Sequence, residues 1–378
     1  MRVAIIHYWL VGMRGGEKVL EDLCLMYPDA DIFTHVHDPA QTSALINRHR
    51  ITTTFIGKLP FATRFYQRYL LLMPFALESL DLSAYDLVIS SESGPAKGVI
   101  THPNAVHVCY CHTPMRYLWD QYHTYRSRAG LLTRLMMSLT MPALRLWDVV
   151  SAARVDRFIA NSSFIARRIQ KAYRRDSTVI FPPVDLEAFS PVSHPTRDYF
   201  FCIGQLVPYK RADLAVAACT RLGLRLIVAG TGPDAERLRA IAGPTVEFRA
   251  WVSDAELKAL YQNCRALLFP GEEDFGIVPL EAMASGRPVI AYESGGAVDT
   301  VIDGKTGVFF ARQTEAALAD AITRFETMEA GFDARTLREH AATFSREAFR
   351  HKMALFVDAA LREKKARPHK TILAEAAE

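Results

Sequence analysis

The 378-residue sequence contains no apolar run approaching the roughly 18 residues of a membrane-spanning helix. The longest candidate, YLLLMPFAL, stops at Glu78, so no transmembrane helix is expected. Net charge is also small. The 45 Lys and Arg against 41 Asp and Glu leave +4, which is no nucleic-acid-binding composition. The six cysteines (Cys24, Cys109, Cys111, Cys202, Cys219 and Cys264) form no C-x-x-C pair. A reduced, cytosolic chain is the simplest reading. The opening MRVAIIHYWLVGMRGG has a short apolar run broken by His7, and it reads as a first strand rather than a signal peptide. Metal patterns are weak. Asp29 and Asp31 match D-x-D but precede their strand instead of following an apolar one, which favours a loop. His107, Cys109 and Cys111 share one strand face without a second ligand pair at metal spacing, which favours a packed core face over zinc. His35 and His37 read as surface residues at a strand end.

Half of the residues are hydrophobic, enough for about two domains with real cores. The strand candidates RVAIIHYWL, DIFTHV, ITTTFI, DLVISS, AVHVCYCH, RFIANSS and TVIFPP alternate with helical patterns. That alternation predicts a mostly parallel sheet covered on both faces. It pauses at FPPVDLEAFSPVSHPTRD, where Pro183, Pro191 and Pro195 suggest an interdomain linker. A second series follows: YFFCIG, LRLIVAG, TVEFRAW, ALLFP, PVIAY and GVFF. The predicted fold class is α/β, with two doubly wound domains spanning 1–190 and 196–345 and a helical tail spanning 346–378.

In such sheets, ligands bind outside the carboxyl ends of the strands, and sites on both domains imply a ligand in a cleft between them. The stretch EEDFGIVPLEAMASG follows the strand ALLFP and carries Glu273 and Glu281. In one unbroken helix these acids would stand about 12 Å apart along the axis, too far to hold one small group. Gly276 and Pro279 argue instead for a loop and then a short helix with Pro279 at its first position. Gly286 and Pro288 close that helix before PVIAY. Glu273 then lies in the loop and Glu281 in the first helical turn, with backbone N–H groups pointing between them. This is an anion site with hydroxyl acceptors around it, suited to a ligand bearing phosphate and several hydroxyls. The plainer alternative is a Glu281 that only stabilises its own helix.

Other candidates also sit at strand ends. Lys210 and Arg211 open a helix, where cations are unfavourable by a few tenths to about 1 kcal/mol unless an anion relieves them. An exposed basic pair is the alternative. Gly15 and Gly16 precede a helix and either admit an anion at its N-terminus or make a tight turn. GTGPDA, with Gly230 and Gly232, fits the dinucleotide pattern G-x-G-x-x-A. Its strand is not the first of its domain, and the acid Glu247 is poorly placed, so nicotinamide binding is the minor reading. His112 ends the strand AVHVCYCH.

Taken in order, these residues resemble the family 4 retaining glycosyltransferases, which have the two-Rossmann-domain GT-B fold. The likeness covers nearly the whole chain. It rests on E-x7-E at Glu273 and Glu281, supported by GMRGGEKVL, HTP, FIANS, PPVD, YKR and GTGP. YCHTPMRYLWD and GEKVLEDL look most like bacterial mannosyltransferases of O-antigen or exopolysaccharide assembly, which use GDP-mannose. The resemblance implies that Glu281 accepts hydrogen bonds from the ribose hydroxyls. Glu273 and the backbone at Phe275, Gly276 and Ile277 would hold the donor sugar and distal phosphate. Lys210 would neutralise the diphosphate, Gly16 would let the first domain close over it, and His112 would bond a sugar hydroxyl near the reacting carbon. The cation and N–H dipoles would stabilise the leaving phosphate with no metal or other cofactor. Front-face attack would preserve configuration without an enzymic nucleophile. One departure is Gln205, where the family usually has Arg; Arg211 is the candidate substitute.

Within the first domain, FIGKLPFATRFYQRYLLLMPFAL carries Lys58, Arg64 and Arg68 among apolar residues. YRSRAGLLTRLMMSLTMPALRLW carries Arg126, Arg128, Arg134 and Arg145 in the same way. Both read either as a membrane-surface face reaching a lipid-linked glycan acceptor or as ordinary amphipathic core helices. The expected setting is cytoplasmic, with peripheral contact at the inner face of the cytoplasmic membrane. Two other functions stay open: a sugar-nucleotide binder with little activity, from Gln205, and an NAD(P)-dependent oxidoreductase, from GTGPDA.

Overall fold

The computed structural model describes residues 1–366, apart from the side chain of Arg128. The end of the expected tail, 367–378, lies outside the described residues. The chain divides into two compact units. The first comprises Met1–Asn161, Ile165–Ile180 and the chain from Arg350; the second comprises Ser162–Phe164 and Phe181–Phe349.

The first unit holds a seven-stranded sheet. Its strands are β1 (Val3–His7), β2 (Asp31–Thr34), β3 (Ile51–Thr53), β4 (Leu87–Glu92), β5 (Val106–Cys111), β6 (Arg157–Ala160) and β7 (Ser177–Val179). They run in the order β3-β2-β1-β4-β5-β6-β7, and every neighbouring pair is parallel. β1, β4 and β5 are buried along their whole length. Strands covered on both faces have no solvent side to mark with alternating polar residues, hence their continuous apolar runs.

The second unit repeats the plan with six parallel strands. They are β8 (Phe200–Ile203), β9 (Leu226–Ala229), β10 (Val246–Arg249), β11 (Leu267–Phe269), β12 (Val289–Tyr292) and β13 (Gly307–Phe310). Their order is β10-β9-β8-β11-β12-β13. Strand order reverses between β1 and β4 in the first sheet and between β8 and β11 in the second. Those reversals are the switch points where such folds open a crevice.

The boundaries differ from those predicted. The proline-rich segment is not a free linker. The Val184 amide bonds the carbonyl of Phe344 at 3.0 Å, and Val184 and Phe189 are buried in the second unit's core. Its prolines shape a packed strap, so the first unit ends at Ile180 rather than at 190. Nor is the chain from 346 a separate tail. The helix Arg346–Ala366 buries Met353, Val357 and Ala360. Arg350 reaches Asp22 at 3.4 Å, and Lys364 reaches Asp156 at 3.5 Å. From Arg350 onward it belongs to the first unit.

Two histidine readings are also settled. His35 is fully buried, not a surface residue. Its ring lies 3.1 Å from Thr54 Oγ1 and 3.2 Å from the Pro95 carbonyl. His107, Cys109 and Cys111 lie in the buried strand β5, with His107 Nε2 2.9 Å from Ser90 Oγ. Burial pulls the pKa of both His35 and His107 down to about 4. An unfolded histidine titrates near 6.5, so below that pH the unfolded chain binds protons that the folded one refuses. Stability should therefore fall as pH drops from about 6.5 toward 4, by up to about 1.4 kcal/mol per pH unit for each buried ring. Urea midpoints measured between pH 7 and 5 check this. His107→Gln should flatten the profile, and a native profile flat over that range would contradict the assignment.

Candidate active site

In the second unit, the carboxyl ends of β8 and β11 border a shallow hollow lined by Gly204, Gln205, Lys210, Phe269, Pro270 and Glu273, among others. Lys210 Nζ lies 3.0 Å from Glu273 Oε1, and both side chains are about one-fifth exposed. Burial opposes the lysine's charge, but the Glu273 carboxylate outweighs it and raises the pKa above the ordinary value. Gln205 is exposed beside this pair and makes no side-chain hydrogen bond among the described residues.

The E-x7-E stretch is a loop followed by a helix, as predicted, with a different start. The helix spans Ile277–Ala284. Pro279 is therefore its third residue, and Glu281 lies just past the first turn. A proline is tolerated there because the first four amides of a helix have no partner inside it. Gly276 turns the chain into the helix at φ 85°, a left-handed conformation that favours glycine. The amides of Phe275, Gly276 and Ile277 make no hydrogen bond among the described residues. The Phe275 ring packs on Phe181 and Phe344, so that residue offers only backbone. Glu281 Oε2 accepts a hydrogen bond from the Tyr261 hydroxyl at 2.7 Å. Burial pushes this carboxyl up, and the Tyr261 bond offsets only part of the shift.

Two candidates serve the scaffold. Arg211 donates to Asp213 at 3.0 Å and to the carbonyl of Gln313 at 3.3 Å. The predicted conflict of a cation at a helix start is thus relieved internally by Asp213, which lies in the first turn of the helix Ala212–Leu222. The glycines of GTGP are filled by neighbouring backbone. A Cβ on Gly230 would overlap the carbonyl oxygen of Gly204, and one on Gly232 that of Leu206. Their role is to let the 229–232 turn support the loop that carries Gln205. β9 lies away from the switch point, and Glu247 is engaged by Arg249 at 2.7 Å. That placement overturns the dinucleotide reading of GTGPDA.

The first unit gathers a second group at its own switch point. His7 on β1 and Ser91 on β4 are paired in register, and His112 follows β5. His112 Nε2 is 2.9 Å from Ser91 Oγ. Gly15 opens the helix Gly15–Met26. A Cβ on Gly16 would overlap the Tyr8 hydroxyl and come within 3.7 Å of His112 Nε2. Glycine therefore lets the helix start close on Tyr8. Glu17 receives the Arg14 amide at 2.9 Å and lies 3.5 Å from His7 Nε2.

Beneath His112 lies a buried ionic cluster. The His112 amide bonds the Glu92 carbonyl at 2.7 Å. The Glu92 carboxylate takes the amides of Ala96 and Lys97 and the Lys97 ammonium at 2.8 Å. Lys97 also contacts Asp148, and all three side chains are fully buried. Asp148 in turn accepts from Trp119 at 2.7 Å and Tyr173 at 3.0 Å. Sequence reading missed Glu17, Ser91, Tyr261 and this cluster. Glu17 had a signal, an acid three residues after the helix cap; the others are partnered only through the fold.

Each unit is thus a doubly wound domain with polar groups gathered at its switch point, and together they define a protein of the GT-B class. Two glycosyltransferase family models match the chain. Residues 13–188 match the model "Glycosyltransferase Family 4", and residues 185–348 match "Glycosyl transferases group 1". It is 32% identical over 219 residues to a D-inositol 3-phosphate glycosyltransferase of Mycolicibacterium paratuberculosis, covering 50% of this chain and 49% of that one. The corresponding Mycobacterium tuberculosis protein is 31% identical over 222 residues, with 51% and 46% covered. The chain spans about half the length of the curated relatives it matches. Solved structures with a similar fold include sucrose-phosphate synthase of Thermosynechococcus elongatus, with TM-score 0.72, 20% identity, and 96% of this chain and 100% of that one covered. The lipopolysaccharide outer core galactosyltransferase WaaB gives 0.67 at 18% identity, with 95% and 99% covered. Anabaena HepE in complex with UDP and glucose gives 0.68 at 17%, with 95% and 100% covered.

Removing the Lys97 ammonium would leave two buried carboxylates unpaired. Lys97→Met should cost about 3–5 kcal/mol, the scale for breaking a buried pair from one side. Chemical denaturation measures it, and a loss under about 1 kcal/mol would mean that the cluster contributes little to stability.

Proposed function

We propose that the chain is a retaining glycosyltransferase that moves a sugar, mannose from GDP-mannose, to a lipid-linked or oligosaccharide acceptor of a bacterial surface polysaccharide. The observation that carries this reading is the convergence on one loop of Lys210, Glu273, three unbonded amides and the Glu281 carboxylate. A nucleoside diphosphate sugar presents matching groups: phosphate oxygens for the cation and amides, and hydroxyls for the carboxylates. Glu281 accepts from the ribose hydroxyls. Glu273 and the amides at Phe275, Gly276 and Ile277 hold the sugar and distal phosphate, while Gln205 donates to the diphosphate. His112 bonds a sugar hydroxyl. As the bond from the sugar's anomeric carbon to the phosphate oxygen breaks, Lys210 and the amides stabilise the charge on the departing diphosphate. The acceptor hydroxyl attacks the same face, forms the new carbon–oxygen bond, and passes its proton to a phosphate oxygen. No metal takes part.

Acceptor binding falls to the first unit. The helix Leu131–Ala153 exposes Leu131, Leu135, Leu139 and Leu146 at helical spacing. Phe61 and Phe75 are also exposed, next to the exposed cations Lys58, Arg64 and Arg68. Leu70 packs against the clusters under both stretches, so the two adjoin. Apolar side chains ringed by cations suit an anionic membrane surface. No helix among the described residues is long and apolar enough to cross a membrane, so the contact is peripheral. The inner face of the cytoplasmic membrane is the proposed setting, and six free, buried cysteines fit a reducing compartment.

A uridine donor is the second reading, favoured by the fold's likeness to HepE in complex with UDP and glucose. Radiolabelled GDP-mannose, UDP-glucose and UDP-galactose, each incubated with membrane-derived lipid-linked glycans, separate the two. Transfer from GDP-mannose alone supports the first reading, transfer from a UDP-sugar the second, and tight binding with no transfer from any donor a non-catalytic binder. Run in EDTA, transfer should persist; loss restored by manganese would overturn the metal-free mechanism. Glu281→Ala should weaken GDP binding by about 1.5–3 kcal/mol in calorimetry, the scale of hydrogen bonds to a charged group. Unchanged affinity would remove Glu281 from the nucleotide site.

A further inference from the structure

The polar groups at the β1–β4 switch point are connected in series. His112 Nε2 lies 2.9 Å from Ser91 Oγ. Ser91 Oγ lies 3.1 Å from His7 Nδ1, and His7 Nε2 lies 3.5 Å from Glu17 Oε1. Glu17, His7 and Ser91 are all buried, so their polar atoms must be satisfied largely by one another.

The direction of each hydrogen follows from the buried end. Burial opposes the charge of Glu17, but its contact with His7 outweighs this and keeps the carboxyl below its ordinary range. It is ionised and accepts only. His7 Nε2 is a buried nitrogen with no properly formed hydrogen bond, and its polar neighbour is that carboxylate. A lone pair aimed there would be repelled, so Nε2 carries a hydrogen. That is the one hydrogen of a singly protonated imidazole. Its Nδ1 is then an acceptor, and the Ser91 hydroxyl donates to it. Ser91 Oγ has lone pairs left for His112, whose Nε2 must supply the hydrogen. Burial pulls the His112 pKa down to about 3, so that ring is neutral and carries no second hydrogen. His112 Nδ1 makes no hydrogen bond among the described residues and is not one of the buried unpartnered atoms. It is the relay's open end.

We infer that Glu17, His7 and Ser91 are positioning residues that hold His112 in its Nε2–H tautomer, presenting Nδ1 as a hydrogen-bond acceptor for a sugar hydroxyl. The inference rests on the reading that His112 meets the transferred sugar. The arrangement suits that chemistry. The sugar ring gains positive charge as the diphosphate leaves. A neutral imidazole adds no opposing charge, and a hydroxyl donating to Nδ1 leaves electron density on its own oxygen. The neighbouring pair of Ser90 and His107 is a useful contrast. It has similar spacing, but His107 is wholly buried, so neither ring nitrogen is open to a ligand.

The test reads the tautomer directly. The full-length protein is labelled with 15N-histidine, and ring-nitrogen shifts and their couplings to ring protons are recorded, with His112 assigned by its loss in His112→Asn. The native protein should show His112 as Nε2–H. Ser91→Ala should move it toward a mixture or toward Nδ1–H and lower kcat for sugar transfer on the order of 10-fold to 100-fold, with donor KM changed far less. Ser91→Thr, which keeps the hydroxyl, should restore both. An Nδ1–H tautomer in the native protein, or a tautomer indifferent to Ser91→Ala, overturns the relay without needing any activity measurement. A tautomer that shifts as expected while turnover stays intact leaves the relay in place and overturns the contact between His112 and the sugar.

Discussion

Every group of the candidate site depends on one topological constraint. In a parallel sheet covered on both faces, a polar side chain within the layers must find its partners there, as Ser90 and His107 do. Only the carboxyl ends of the strands are open to a ligand. Where strand order reverses, the connections leave in opposite directions and those ends stay uncovered. Here the reversal occurs twice, between β1 and β4 and between β8 and β11. His7 and Ser91 stand at the first, and Gly204 and the Phe269–Gly271 stretch at the second.

The two switch points hold different electrostatics. The first carries imidazole rings and a hydroxyl backed by one buried carboxylate; the second carries ionic groups near solvent. Two lysines show why that matters. Lys97 sits between two carboxylates with no exposure at all. Breaking such a cluster costs several kcal/mol, so its partners are fixed. Lys210 holds Glu273 at similar distance but is partly exposed. A partly exposed pair is less costly to rearrange than a fully buried one. Burial, rather than distance, separates the structural lysine from the one suited to a ligand.

How much of this was legible in the sequence follows the range of the interactions. All thirteen strands were readable: most are buried local apolar runs, and the less buried β3, β7 and β10 still carry β-branched residues. The loop-then-helix at Glu273 to Gly286 was readable because Gly276 and Pro279 restrict the backbone wherever they stand. Boundaries failed where packing overrode composition: the prolines of 182–195 look like a linker, yet Val184 and Phe189 anchor them to a core. His35 failed for the same reason, since a histidine at a strand end is as polar in sequence when its two ring nitrogens are satisfied internally as when they meet water. Arg211 was ambiguous because a cation at a helix start announces an anion without saying whether that anion is a ligand or Asp213, two residues on. The Ser91 contacts were out of reach. They join β1, β4 and β5 through a register that no single segment encodes.

The position of Glu281 shows how the fold and the site constrain each other. Had the helix begun at Pro279, Glu281 would lie in the first turn, where the helix dipole favours its charge. Starting at Ile277 instead places it deeper, where burial disfavours the ionised form. Tyr261 supplies one hydrogen bond to a group able to accept several. The carboxylate is thus held in a state that further donors would stabilise, and in a low-dielectric setting each such bond is stronger than it would be in water. In the proposed donor complex, the adjacent ribose hydroxyls would relieve this deficit without introducing a charge. The second E of the E-x7-E spacing therefore does more than mark a helix start. The loop brings the first acid to a cation near the surface, and the helix carries the second to a more buried position beside Tyr261.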